Sequence, residues 1–102
     1  MAIRKTVEDA FIVAGNREQW IGRCKDALTN GGFTGIESNE VLGQISGNYK
    51  KLTVWGSIEI TLMPEGKNTK IVAKAMGNID NIFALFSSPG KKMLAAFKSN
   101  LS

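Results

Sequence analysis

Between residues 52 and 63 the chain alternates: Leu52, Val54, Gly56, Ile58, Ile60 and Leu62 fall on one side, and Thr53, Trp55, Ser57, Glu59, Thr61 and Met63 on the other. A period of two predicts a strand with one buried face and one partly wet face. The cluster Pro64-Glu65-Gly66-Lys67-Asn68 predicts a turn, and residues 69–76 the returning strand of a hairpin. Residues 6–14 hold β-branched and aromatic residues and end at Gly15, which predicts another strand. Asn16 then stands at an N-cap position, and Trp20, Cys24, Ala27 and Leu28 recur at helical spacing until Gly31-Gly32 ends the pattern. Residues 33–38 read as a loop and 40–46 as a short strand bounded by Gly47-Asn48. Near the other end, Ser87-Ser88-Pro89 predicts a helix start, and Met93, Ala96, Phe97 and Leu101 form that helix's apolar face.

The predicted order is β-α-β-β-β-α, an α+β fold with a four-stranded antiparallel sheet and both helices on one face. Gly56 in the middle of the longest strand points to a curved sheet, because strand glycines mark bends or close backbone approaches. A curved sheet wrapped around a long C-terminal helix is the helix-grip arrangement; a flatter sheet in the same order is TATA-binding-protein-like.

Composition narrows the chemistry. With 102 residues, 43% of them hydrophobic, the chain suits one domain over residues 1–102. It has one cysteine and no histidine, which excludes an intrachain disulfide, Ser-His-Asp and Cys-His nucleophile systems and histidine-ligated metals. The acids Glu37, Glu40, Glu59, Glu65 and Asp80 come from different elements and lack metal-loop spacing. The expectation is therefore a non-enzyme without cofactor or metal. The net charge of +4 is spread along the chain, with only the doublets Arg4-Lys5, Lys50-Lys51 and Lys91-Lys92 as clusters. With Trp55 the one aromatic on the outward sheet face, the pattern disfavours nucleic acid. No apolar leader and no run of the ~20 residues needed to span a bilayer is visible, so a cytoplasmic location is expected.

Residues 53–60, with the Trp55-Gly56 pair, followed by Pro64-Glu65-Gly66 and Thr69-Lys70-Ile71, resemble a small uncharacterised bacterial α+β family whose members sometimes stand beside SHOCT modules. The resemblance covers the second half of the chain. It implies the element order derived above and a bacterial intracellular domain; it brings no catalytic residues. The acidic-asparagine feature of that family is represented here only by Asp80-Asn81.

Three features bear on function. The stretch from Ile79 to Phe86 carries Ile79, Ile82, Phe83, Leu85 and Phe86, more apolar side chains than a connecting loop needs. It suits a lid over a cavity, a contact patch for a partner or membrane surface, or simple core cover. Ser87-Ser88-Pro89-Gly90-Lys91-Lys92 is not a phosphate-binding P-loop, since Leu85 and Lys92 occupy positions that need glycine and Ser or Thr. A basic helix start of this kind still attracts an anionic group. Trp55, on the polar side of its strand, suits an interface anchor. The leading expectation is a binding domain for an apolar or lipid-like ligand, with Phe83, Leu85, Phe86, Met93 and Phe97 lining the site and Lys91 and Lys92 near an anionic group. The alternative is a protein-interaction or homodimerisation module using Trp55, Ile79 and Ile82.

Overall fold

The computed structural model describes residues 3–51, 54–79 and 89–101, with side chains over 6–50, 56–77 and 91–101. Strands β4 (Val54–Glu65) and β5 (Asn68–Ile79) form the hairpin that the alternation predicts. Ile58, Ile60 and Leu62 on β4 and Ile71, Ala73 and Ala75 on β5 are buried, while Glu59 and Met63 between them face solvent. β1 (Ile3–Ala14) adds to β5, and β3 (Gln44–Lys51) adds to the other side of β4. Every neighbouring pair is antiparallel.

The sheet has five strands, in the order β1-β5-β4-β3-β2, not four. The segment read as a loop holds β2 (Thr34–Asn39), and the strand expected over 40–46 is a turn at 40–43 followed by β3. The reason is local. β2 is polar apart from Ile36, Gly35 takes a left-handed φ of +58°, and the register with β3 shifts between Thr34 and Glu37. That bulge erases the period-two signal, so the strand exists through its pairing with β3 rather than through its own pattern. Gly47 likewise lies inside β3, facing Leu28, Phe33 and Ile36, where a strand-ending glycine was expected.

Helix α1 (Arg17–Asn30) starts where Asn16 Oδ1 accepts the Gln19 N–H at 2.9 Å. Its buried stripe is Trp20, Ile21, Cys24, Ala27 and Leu28. Trp20 Nε1 donates to the Ala14 carbonyl at 2.8 Å, and the buried Thr69 hydroxyl donates to the Gly15 carbonyl at 2.9 Å. These two bonds fasten the β1–α1 junction to the start of β5 and satisfy polar groups that would be costly to bury alone. Helix α2 (Pro89–Ser99) begins at proline, as its sequence predicts, and buries Met93, Leu94 and Phe97. Both helices share one apolar core with the inner face of the sheet.

Gly56 pairs with Gly77 across β4 and β5. A Cβ on Gly56 would collide with the Met76 carbonyl, so this close approach of two backbones requires glycine. The strand glycine thus has the role its position predicts.

Candidate functional site

The concave face between the sheet and α2 is the region to which the sequence assigns a ligand. Its inner rows follow from the register. Leu62 stands opposite Ile71, Ile60 opposite Ala73, Ile58 opposite Ala75, and Gly56 opposite Gly77. Side-chain volume therefore falls along β5 from Ile71 to Gly77, and at the Gly56–Gly77 pair neither strand contributes a side chain. Over the middle rows the space is filled: Met93 and Phe97, one turn apart on α2, are fully buried in the same cluster as Ala73 and Ala75. Small strand residues under large helix residues let the two layers close to van der Waals contact. The Gly56–Gly77 row, beside Tyr49 on β3, is where the inner face is barest.

Of the residues assigned to a ligand site, the structure brings Met93 and Phe97 together in the interior and leaves Lys91 and Lys92 exposed on the first turns of α2. Ile82, Phe83, Leu85 and Phe86 lie outside the described residues. Trp55 pairs with Lys50 and Asn78, and Ile79 ends β5 opposite Ile3, but the side chains of Trp55 and Ile79 lie outside those described.

Asp9 was missed as a site residue. With Val7, Phe11 and Val13 it occupies the inner row of β1, in register with Ala73. Lys98 on α2 donates to its carboxylate at 2.6 Å, and the same ammonium lies 5.5 Å from the centre of the Phe11 ring. The hydrogen bond from Lys98, aided by its charge and opposed by partial desolvation, holds the Asp9 carboxyl below its ordinary range. A charge between the apolar residues Val7 and Phe11 on one face of β1 is the signal that could have found it.

Cys24 is fully buried, and desolvation pushes its thiol up to about 12. That makes it core filler, not a nucleophile. On the outer face, Glu37 and Glu59 flank Ser46 in one cross-strand row. They border a shallow cleft of about 220 Å³ with Ser38, Asn39 and Gln44. Two strand spacings put their backbones about 10 Å apart. Another shallow cleft, of about 250 Å³, lies at the hairpin end among Asn16, Arg17, Lys67 and Asn68. Among the described residues no three His, Cys, Asp or Glu side chains group to hold a metal, and no helix is long and apolar enough to cross a membrane.

No family model and no curated protein matches the chain, so the resemblance to a small bacterial family stands on its residues alone. Solved structures do match. A protein of Thermus thermophilus superposes with a TM-score of 0.66 at 12% identity, covering 95% of this chain and 94% of its own. Norcoclaurine synthase from Thalictrum flavum, in complex with dopamine and hydroxybenzaldehyde, superposes with a TM-score of 0.64 at 14% identity, covering 98% and 85%. An aromatase/cyclase from Streptomyces superposes with a TM-score of 0.63 at 11% identity, covering 96% and 87%. At these identities the likeness is one of fold, and that fold is the helix grip. The expectation of a non-enzyme is corrected by the same comparison: the fold carries a synthase and an aromatase/cyclase. Lacking histidine and an accessible cysteine does not remove a chain from the enzyme class, because positioning and acid–base work by carboxyl, amine or phenol groups need neither.

Proposed function

We propose that this protein binds an apolar or lipid-like ligand between its curved sheet and the N-terminal end of α2. The observation that carries this reading is the absence of inner-face side chains at the Gly56–Gly77 pair, two residues before β5 ends at Ile79 and the chain leads through residues 80–88 to α2. With the middle rows filled by Met93 and Phe97, the ligand is assigned to that end of the grip. Phe83, Leu85, Phe86, Met93 and Phe97 are assigned as its apolar lining. Lys91 and Lys92, both exposed, are assigned to an anionic group of the ligand at the mouth. That a helix-grip neighbour was solved with dopamine and hydroxybenzaldehyde supports a ligand-binding role for the fold.

Native mass spectrometry of the protein purified from cells, before and after organic extraction, tests this. A mass increment of a few hundred daltons that extraction removes is the expected result, with Phe86→Ala lowering its occupancy. A bare chain in both spectra, together with no uptake of a fluorescent fatty acid by the extracted protein, overturns it.

A further inference from the structure

The two edges of the sheet are unlike. β2 is six residues long, bulged and polar, the features by which an edge resists pairing. β1 at the other edge is twelve residues long and keeps twelve consecutive register pairs with β5 without a bulge or proline. On its far side every second residue turns its N–H and C=O away from β5. No other strand pairs there among the described residues. The inner residues Val7, Phe11 and Val13 pack on the core yet remain only half-buried, because nothing in the sheet extends beyond them.

We infer that β1 is a homodimerisation edge: two copies join antiparallel through their β1 strands about a two-fold axis at Thr6, making one continuous sheet. The charges along the strand favour this register. Antiparallel partners share a face, so a two-fold axis perpendicular to the sheet must pass through a residue of the strand. Centring on Arg4, Lys5, Glu8 or Asp9 sets like charges against each other at the axis. Centring on Val7 sets Lys5 against Asp9, whose carboxylate Lys98 already holds. Centring on Thr6 sets Arg4 of each copy opposite the exposed Glu8 of the other, twice by symmetry. It also continues an alternation already present on the outer face, where Glu59 pairs with Lys74 and Lys74 with Glu8. Arg4 within its own sheet pairs with the neutral Asn78.

The test uses the full chain. Sedimentation over a concentration series should show a monomer–dimer equilibrium for the wild type. Glu8→Lys should weaken it about tenfold or more, since two favourable cross-strand pairs become repulsive, and the double variant Arg4→Glu/Glu8→Lys should restore it. A second test does not depend on Glu8. Thr6→Cys, at the axis, should cross-link to itself under mild oxidation, whereas Ile12→Cys, also exposed but beyond the overlap, should not. The proposal is overturned by a monomer at every concentration, by a dimer indifferent to Glu8→Lys, by a double variant that stays monomeric while folded, or by equal cross-linking at both positions. Ligand occupancy in the wild type is read separately, so failure here leaves the proposed ligand site unaffected.

Discussion

Lys98 Nζ in the last turn of α2 lies 2.6 Å from Asp9 Oδ2 in the middle of β1, a contact between residues 89 positions apart. It fastens the C-terminal end of the gripping helix to the edge strand, over the face of Phe11. Both side chains remain more than a third exposed, so the pair is screened and worth about 0.2–1 kcal/mol.

Replacing Lys98 with Met should therefore lower stability only slightly at neutral pH, and its effect should depend on pH. The Asp9 carboxyl titrates lower in the folded chain than its ordinary 3.8. A depressed carboxyl contributes stability above the unfolded value that is lost as pH falls through the folded one. The difference between wild type and Lys98→Met in urea unfolding should thus be present at pH 7 and shrink below about pH 4. A difference that stays constant down to pH 2 would show that the ion pair is not its origin.

Gly56 and Gly22 should respond oppositely to alanine. A Cβ at Gly56 meets the backbone carbonyl of Met76, which has no way to move without disturbing β5, whereas one at Gly22 meets nothing within 4 Å. Gly56→Ala should cost about 1–3 kcal/mol or prevent folding. Gly22→Ala, at an exposed position inside α1, should raise stability by about 0.5–1 kcal/mol through helix propensity. Chemical denaturation of the two variants beside the wild type measures both.

Cys24 should be silent toward thiol reagents until the chain unfolds. Its folded value of about 12 stands above the ordinary 9.0, so burial of the neutral thiol contributes stability below pH 9 that is lost as pH rises toward 12. Labelling with a disulfide reagent at pH 8 should follow the unfolding equilibrium and rise with urea along the same curve as loss of circular dichroism. Fast labelling of the native protein would place Cys24 at an accessible site instead of the core.

Much of this architecture is present in the order of residues alone. The alternation read over 52–63, the turn read over 64–68, which the paired strands narrow to Gly66-Lys67, the cap at Asn16 and the proline opening α2 are local, and local rules find them because backbone geometry and side-chain period act over a few residues. The meaning of Gly56 was also local: a glycine in a long strand, where a close approach proved to lie. What the chain alone left open depended on partners distant in sequence. β2 is a strand because β3 lies beside it, Asp9 is a helix latch because Lys98 reaches it, and Gly56 forms a bare row only because Gly77 is its register partner. Register and layer contacts are settled by packing across the whole fold, and no window of neighbouring residues contains them.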